Sequence, residues 1–228
     1  MGMSEVALVT GGNKGIGREI VRQLAGRGFT VYLGARDPQP VEDARVVRLD
    51  VTDAACVAEA VRTVEIEAGR LDVLVNNAGV MLEWGVEVTA ALMRDTFEVN
   101  VFGVVTVTSA CLPLLRRSSN PRIVNMSSGL GSLSMLSDPT TRGFLAYGAS
   151  KAALNALTLI YANALRADGI KVNAVSPGMV PTDQNAAAPF PRGERTTADG
   201  AEIPVSLATI PADGPTGVFH GPDGVIPW

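Results

Sequence analysis

The feature that most constrains the fold is a glycine-rich segment close to the N-terminus. Residues 6–9, Val-Ala-Leu-Val, form a short apolar run that ends at Thr10-Gly11-Gly12. Gly15 and Gly17 follow, and the next residues, up to Leu24, have helical periodicity. A strand, a glycine turn and a helix in this order are typical of a dinucleotide-binding fold, because the glycines admit a pyrophosphate and the helix N-terminus attracts it. Taken alone, the same glycines also fit an ordinary tight connection between a strand and a helix.

The length and charge of the chain exclude several classes of protein. Its 228 residues are enough for one domain with a sizeable core. The formal net charge is −4, so we expect no basic surface for nucleic acid or anionic lipid. We find no apolar run of the length of a membrane span, and a first strand at Val6 leaves no room for a cleavable signal peptide. We therefore expect a cytoplasmic protein with no nucleic-acid and no membrane partner.

The cysteine and histidine content argues against metal chemistry. Cys56 and Cys111 lie in helical-looking segments with apolar neighbours, as reduced core thiols do. His220 is the single histidine, so neither a zinc site nor a Ser-His-Asp triad is expected. We predict no metal site.

Apolar runs alternate with helical patterns along the chain, which predicts a doubly wound parallel sheet with helices on both faces. The strands predicted after the first are 30–35, 45–49, 72–75, 122–126, 171–175 and about 217–220. The predicted helices are 54–68, a long stretch from 89 to 115, 146 to about 167, and about 200–208. The link of about ten residues after Arg36 contains Pro38 and Pro40, which predicts a loop or a single turn there. We also predict a polar loop up to Gly143 and a mobile loop or lid with little structure over 182–201.

Polar residues and glycines follow each predicted strand, at the edge of the sheet where ligands bind in such folds. They are Thr10-Gly11, Arg36, Asp50-Val51, the four residues 76–79, Ser127-Ser128 and Pro177-Gly178. Residues of these types also occur in plain turns. Their presence after every strand favours a ligand site.

Tyr147 and Lys151 form the sharpest chemical motif. Residues four apart on a helix share a face, so the phenol and the ammonium point into the same space. A phenol has an ordinary pKa near 10, and a neighbouring ammonium lowers that pKa because it favours the phenolate. Tyr147 is therefore a candidate general acid and base. By itself this spacing is more often a solvated helix face.

Together these motifs resemble the short-chain dehydrogenase/reductase family. In chain order they are Thr10-Gly11-x-x-x-Gly15-x-Gly17, Asp50, Asn76-Asn77-Ala78-Gly79, Asn100, Ser128, Tyr147, Lys151 and Pro177-Gly178-x-x-x-Thr182. The glycine turn, Ala35-Arg36-Asp37 and the C-terminal residues 215–228 are most similar to the carbonyl reductase branch. That branch often has a long insertion before the catalytic tyrosine, which this chain largely lacks. The interval from Ser128 to Tyr147 is nevertheless longer than in most members, with 138–143 as the insertion.

The resemblance implies a role for each matching residue. Tyr147 donates a proton to a substrate carbonyl oxygen that Ser128 orients, with Ser127 as the alternative serine. Lys151 binds the nicotinamide ribose and tunes Tyr147, and Asn100 helps to hold a water in a proton relay. The implied cofactor-binding residues are Gly11, Asn13, Lys14, Gly15, Ile16, Gly17, Arg36, Asp50, Val51, Asn77, Ala78, Gly79, Tyr147, Lys151, Pro177, Gly178, Val180 and Thr182. Among them Asp50 and Val51 flank the adenine, Asn77 and Ala78 line the adenosine ribose, and Val180 and Thr182 face the nicotinamide amide and the phosphates.

The residues after the second predicted strand favour NADPH over NAD. Enzymes that use NAD usually carry an acid at the end of this strand to bind the ribose 2′-hydroxyl, and here that position is Ala35. Arg36 and Lys14 offer two cations to a 2′-phosphate. Asp37 is the counter-argument, because a small backbone shift would bring its carboxylate inward.

The function implied by the resemblance is the NADPH-dependent, reversible reduction of a ketone or aldehyde to an alcohol. The alternatives are an NAD-dependent alcohol dehydrogenase and a catalytically idle dinucleotide-sensing regulator. The resemblance also implies one domain, with a cofactor half over about 1–125 and a catalytic half over about 126–228. The expected partner is a small-molecule carbonyl substrate, whose determinants we place in 81–85, 130–146 and 179–191. A homodimer and a homotetramer both stay open.

Overall fold

The computed structural model describes residues 4–228, and one eight-stranded sheet runs through this part of the chain. Its strands are β1 (Val6–Thr10), β2 (Thr30–Ala35), β3 (Arg45–Arg48), β4 (Val73–Asn76), β5 (Arg122–Met126), β6 (Lys171–Val175), β7 (Phe219–Gly221) and β8 (Gly224–Val225). Across the sheet they lie in the order β3-β2-β1-β4-β5-β6-β7-β8. Strands β1 to β7 are parallel, and only the short edge strand β8 is antiparallel to its neighbour. The predicted doubly wound parallel sheet is confirmed, with this antiparallel edge as an addition.

Helices cover both faces of the sheet. They are α1 (Gly15–Ala25), α2 (Ala54–Ala68), α3 (Ala90–Phe97), α4 (Gly103–Leu115), α5 (Leu133–Leu136), α6 (Leu145–Ala164) and α7 (Thr197–Ala208). Side chains alternate along the central strands. Leu8 packs with α2, α4 and α6 on one face, whereas Ala7 and Val9 pack with α1 and α7 on the other. This two-sided burial explains why the central strands read as continuous apolar runs.

The link between β2 and β3 carries no helix. Its only regular pairing is a single antiparallel bridge between Val41 and Ala44. The predicted loop is therefore confirmed, because a proline-rich link of this length is too short for a crossover helix.

Two predicted loops contain more structure than expected. The segment after β5 holds a 3₁₀ turn (Gly129–Gly131) and α5. The segment 182–201, predicted to have little structure, holds a second 3₁₀ turn (Asp183–Asn185) and the first turns of α7. Helix α7 begins at Thr197 because Thr196 and Asp199 form a reciprocal capping box, with Asp199 in the place usually taken by Glu or Gln. Whether this segment moves stays a prediction.

The long predicted helix is interrupted in its middle. Helices α3 and α4 are joined by a π-helical turn (Glu98–Phe102), giving a continuous run from Ala90 to Leu115. Within residues 4–228 this run alone has the length and apolarity to cross a membrane, with a mean hydropathy of 1.6 over its most apolar stretch. The expectation that no apolar run is this long was therefore wrong. Half of that stretch is buried inside the fold, as in a core helix, so its composition is explained without a membrane.

Candidate active site

The glycine turn between β1 and α1 is held in place by Thr10 and Asn77. Thr10 Oγ1 accepts hydrogen bonds from the backbone N–H groups of Asn77 and Ala78, both at 3.0 Å. Asn77 Nδ2 donates in turn to the carbonyl oxygens of Thr10 at 2.8 Å and Gly11 at 3.1 Å. A Cβ atom on Gly17 would collide with Asn77 Nδ2 and with the Gly11 carbonyl. The turn and the loop after β4 are thus packed so closely that only glycine fits between them.

The start of α1 is left open toward solvent. Lys14, the residue before the helix, makes no side-chain capping bond, so the first N–H groups of α1 have no side-chain partner there. Gly15 has a φ of +56°, which opens the turn in a conformation that other residues rarely adopt. This geometry suits a phosphate group, which accepts hydrogen bonds from such N–H groups and is attracted by the helix dipole.

A cleft of about 730 Å³ crosses the carboxyl ends of the strands. It begins at Arg36 and Asp50 beyond β2 and β3, passes the glycine turn, and ends at Tyr147 and Lys151. The predicted cofactor residues that line it are Gly11, Asn13, Lys14, Gly15, Ile16, Gly17, Arg36, Asp50, Val51, Asn77, Ala78, Gly79, Tyr147, Lys151, Pro177 and Thr182. The resemblance implies an adenine at the Asp50 end and a nicotinamide at the Tyr147 end, and the two ends of the cleft are named accordingly below.

Two predicted cofactor residues lie outside the wall of the cleft. A Cβ on Gly178 would meet Pro222 and the side chain of Arg195. Val180 is buried, and its carbonyl accepts a hydrogen bond from Asn185 Nδ2 at 3.0 Å. Both therefore support the segment that carries Thr182, which does line the cleft.

The adenine end of the cleft carries charges of both signs. Asp50 accepts hydrogen bonds from the backbone N–H and the hydroxyl of Thr52, which hold the pKa of its carboxyl below the usual value. Arg36 and Asp37 are both exposed and both line the cleft. Lys14 Nζ lies 2.9 Å from Asp183 Oδ2, in a pair whose side chains are more than half exposed. Lys14 is thus turned toward the segment after β6, a contact that sequence analysis did not predict.

Tyr147 and Lys151 lie at the other end, on the same face of α6. Lys151 Nζ is 5.5 Å from the centre of the Tyr147 ring and donates a hydrogen bond to the carbonyl oxygen of Met126 at 2.7 Å. Burial raises the pKa of Tyr147 to about 12, and hydrogen bonds with the side chains of Ser128 and Gln184 oppose that rise. Burial also lowers the pKa of Lys151 to about 8.

The direction of the Tyr147 shift differs from the sequence-based expectation. We expected the ammonium to lower the pKa of the phenol, but the removal of water from around the hydroxyl is the larger effect here. The phenol is therefore protonated at neutral pH, which suits a group that donates a proton to a carbonyl oxygen. The same burial brings the ammonium of Lys151 close to titration at physiological pH.

We predict that Lys151→Met stabilises the protein while abolishing its activity. The unfolded chain keeps its lysine proton up to about pH 10.4, whereas the folded protein releases it near pH 8. Below pH 8 the lysine is charged in both states, so the full free-energy cost of burying the cation lowers the stability of the folded protein. This cost shrinks as the pH rises from 8 toward 10.4, because the folded protein then holds a neutral lysine. Without cofactor, Lys151→Met should be more stable by about 1–3 kcal/mol at pH 7 and by less at pH 10, measured by urea unfolding. An equal difference at the two pH values would contradict this account.

The two serines after β5 have different partners. Ser127 is buried, and its hydroxyl donates to Asn155 Oδ1 at 2.6 Å. The Ser128 hydroxyl accepts a hydrogen bond from the N–H of Leu130 at 3.2 Å and bonds with the hydroxyl of Tyr147. Ser127 lines the cleft and Ser128 does not, but Ser127 is bonded to Asn155 whereas Ser128 bonds with Tyr147, which favours Ser128 as the serine that acts with Tyr147.

Asn100 lies in the π-helical turn, and its side chain is fully buried. Its Oδ1 accepts from the N–H of Val80 at 2.8 Å, and its Nδ2 donates to the Val80 carbonyl at 2.9 Å and to Ser150 Oγ at 3.0 Å. The side chain therefore ties the loop after β4 to helix α6. The water-holding role implied by the resemblance stays a prediction.

The three segments predicted to determine the substrate meet at one aromatic cluster. Trp84, Phe144 and Phe190 each come from a different segment, and their ring centres lie 5.7–6.4 Å apart. The Arg142 guanidinium lies 5.0 Å from the centre of the Phe190 ring. The cluster fixes the part of the chain that carries Thr182 against the part that carries Tyr147.

Two polar residues close to Tyr147 were not predicted from the sequence. Gln184 lines the cleft and bonds with the phenol, and Glu83 accepts a hydrogen bond from the backbone N–H of Tyr147 at 2.7 Å. The position of Gln184, two residues after the Pro-Gly-x-x-x-Thr motif, was a usable signal. Glu83 gave only a weak signal, as an acid among apolar residues.

The chain matches the short chain dehydrogenase family over residues 5–190. Salutaridine reductase of Papaver somniferum is 34% identical over 94% of this chain and 93% of that protein. That alignment spans 298 positions, more than the 228 residues of this chain, so the relative carries segments that this chain lacks. The structure resembles an NADPH-bound carbonyl reductase from chicken fatty liver, with a TM-score of 0.87 and 27% identity over 99% of both chains. It also resembles ElxO with NADP bound, with a TM-score of 0.82 and 28% identity over 96% of this chain and 97% of that one.

The glycine turn, the cleft and the extent of these matches define the class of protein. The chain belongs to the short chain dehydrogenase family and is an oxidoreductase of that family, with reductases among its relatives.

Proposed function

We propose that this protein reduces the carbonyl group of a ketone or aldehyde to an alcohol with NADPH, reversibly, and that Tyr147 is the proton donor. The observation that carries the proposal is the protonated phenol at the nicotinamide end of the cleft, beside Ser128 and Lys151. A carbonyl reductase and salutaridine reductase among the similar proteins support the choice of reaction.

The residues of the cleft fit a dinucleotide. The turn around Gly15 and Gly17 would hold the pyrophosphate, because Gly17 leaves no room for a side chain, Gly15 has a positive φ, and the helix behind them has uncapped N–H groups. Arg36 and Lys14 would hold a 2′-phosphate. When bound, the nicotinamide supplies the hydride that reaches the carbonyl carbon.

Side chains of this protein would donate the proton that the reaction needs and stabilise the charge that remains. Tyr147 Oη donates its proton to the carbonyl oxygen, and the Ser128 hydroxyl donates a hydrogen bond to the same oxygen. The ammonium of Lys151 stabilises the phenolate that remains, because opposite charges attract strongly in a buried site. Its pKa of about 8 also lets Lys151 pass a proton back to the phenolate near neutral pH.

An NAD-dependent alcohol dehydrogenase is the second candidate, and Asp37 is the observation that favours it. This carboxylate is exposed and lines the adenine end of the cleft, where it would bind a ribose 2′-hydroxyl. A catalytically idle dinucleotide sensor is less well supported, because Tyr147, Lys151 and Ser128 are all present and close together.

A panel of ketones and aldehydes, assayed for loss of NADPH and of NADH, tests the proposal. We expect turnover of at least one carbonyl compound with NADPH and much slower turnover with NADH. Oxidation of alcohols with NAD alone would favour the second candidate. Tight cofactor binding with no turnover of any carbonyl or alcohol would favour the sensor.

We further propose one domain, a cytoplasmic location and a homodimer or homotetramer. The cysteines Cys56 and Cys111 are buried and unpaired, as in proteins of a reducing compartment. Phe102 and Ile160 are large exposed apolar side chains on the helical runs that carry Asn100 and Tyr147, which we expect to pair in an oligomer. Light scattering on a sizing column should give a mass of at least two chains. A monomer at all concentrations would contradict the oligomer.

A further inference from the structure

The catalytic helix α6 begins without a local cap. Its N-cap residue is Phe144, whose side chain cannot accept a hydrogen bond. Leu145 is the first residue of the helix and Tyr147 is the third, so the backbone N–H groups of both lack partners within the helix. Tyr147 is buried, so its N–H group would be costly to leave without a partner, and another part of the chain supplies one.

Residues 83–85, which we call the distal cap, supply these partners. The carbonyl oxygen of Gly85 accepts from the N–H of Leu145 at 3.2 Å, and Glu83 Oε1 accepts from the N–H of Tyr147 at 2.7 Å. Between them, the Trp84 ring packs edge-on against the ring of Phe144. Three consecutive residues thus replace the missing N-cap from a position about sixty residues earlier in the chain.

Glu83 is the costly member of the distal cap. Its side chain is only 6% exposed, and its second carboxylate oxygen, Oε2, is buried with no hydrogen-bond partner. A half-satisfied buried carboxylate costs stability that an apolar residue would not. The positive end of the α6 dipole and the bond to Tyr147 offset part of that cost.

The distal cap is also anchored to the cofactor side of the cleft. Asn100 holds both backbone groups of Val80, three residues before Glu83. The same loop begins at Asn77, whose side chain holds the glycine turn. Glu83 therefore connects the backbone of Tyr147 to the loop that lies along the proposed cofactor site.

We propose that Glu83 is a positioning residue, which fixes the backbone of Tyr147 relative to the cofactor loop so that the phenol meets the substrate carbonyl in the productive geometry. The proposal rests on the function proposed above for Tyr147. It predicts an effect on the chemical step and not on cofactor binding, because Glu83 contacts the catalytic helix and does not line the cleft. A misplacement of about 1 Å at a reacting group can lower a rate about a hundredfold.

The test compares Glu83→Ala and Glu83→Gln in the full chain. The amide oxygen of Gln accepts the same hydrogen bond, whereas Ala has no acceptor. In Glu83→Ala we expect the backbone amide of Tyr147 to exchange with deuterium at least about tenfold faster, and kcat to fall at least about tenfold. The KM and Kd for NADPH should stay within about twofold of the parent protein. Glu83→Gln should restore exchange protection to near the parent value and should restore most of kcat, because Gln keeps the acceptor and removes only the charge that raises the pKa of Tyr147.

Glu87→Ala is the matched control. Glu87 is an exposed acid four residues farther along the same loop, so its loss should change neither amide exchange nor kcat. If Glu83→Ala does not fold, Glu83→Leu keeps the side-chain volume without an acceptor and takes its place. The melting temperature of each variant shows whether it is folded, and kcat and amide exchange are compared only among folded variants.

Two results would overturn the proposal. The first is unchanged protection of the Tyr147 amide in Glu83→Ala, which would show that the carboxylate does not cap the helix. The second is lost protection with an unchanged kcat, which would show a cap without a role in positioning. If the protein reduces no carbonyl compound, the proposed function is contradicted. The comparison of amide exchange still tests whether Glu83 caps the helix, because that measurement does not depend on turnover.

Discussion

Tyr147→Phe is expected to lower the rate of carbonyl reduction at least about a hundredfold, the usual contribution of a positioned acid. The substitution removes only the hydroxyl, so the buried ring keeps its place on α6. What is lost is the proton for the carbonyl oxygen and the hydrogen bonds with Ser128 and Gln184. The Kd for NADPH should change little, because the phenol acts on the substrate and the glycine turn holds the cofactor.

Tyr161→Phe is the matched control for this experiment. Tyr161 lies on the same helix, packs against the apolar core and does not line the cleft. It should keep the activity of the parent protein. If Tyr147→Phe retains that activity as well, the assigned proton donor is wrong.

The second large effect is expected at the adenine end of the cleft. Changing both Lys14 and Arg36 to Ala should weaken the binding of NADPH by a few kcal/mol in total. Each charged hydrogen bond that is lost should contribute about 1.5–3 kcal/mol. The binding of NADH should hardly change, because it lacks the 2′-phosphate. The pair between Lys14 and Asp183 does not prevent this role, since a pair so exposed contributes only about 0–1 kcal/mol.

Two further variants make this experiment decisive. Arg27→Ala removes an exposed cation at the far end of α1 and should affect neither cofactor. Asp37→Asn tests the opposing hypothesis, in which its carboxylate binds the ribose of NAD. Equal weakening of NADPH and NADH in the Lys14 and Arg36 variants would mean that these cations do not bind the 2′-phosphate. A selective loss of NADH binding in Asp37→Asn would point to NAD as the cofactor.

Most strands and helices could be predicted from the sequence because they depend on local patterns. The bounds of β2, β5, β6 and α2 match those predicted, since each is a buried apolar run or an amphipathic stretch with clear ends. The order of the motifs placed Tyr147, Lys151 and most of the glycine turn along one cleft. The absence of a helix between β2 and β3 was also predicted, because the link contains two prolines.

What the sequence could not predict depends on contacts between distant segments. Helical periodicity does not distinguish a π-helical turn from an α-helix, so the position of Asn100 in such a turn was not foreseen. Burial decides the pKa of Tyr147, and that burial arises where separate segments pack around α6. The bonds from Glu83 to Tyr147 and from Lys14 to Asp183 join residues 64 and 169 positions apart.

The measurement that tests the central claim most directly is the transfer of deuterium. The protein is given NADPH with deuterium in place of both hydrogens on the reactive carbon of the nicotinamide, together with a carbonyl compound that it turns over, and the alcohol is analysed by mass spectrometry. Our account predicts an alcohol with one deuterium on the former carbonyl carbon, formed by the parent protein and at least about a hundredfold more slowly by Tyr147→Phe. An alcohol without deuterium, or NADPH consumption with no alcohol formed, would contradict it.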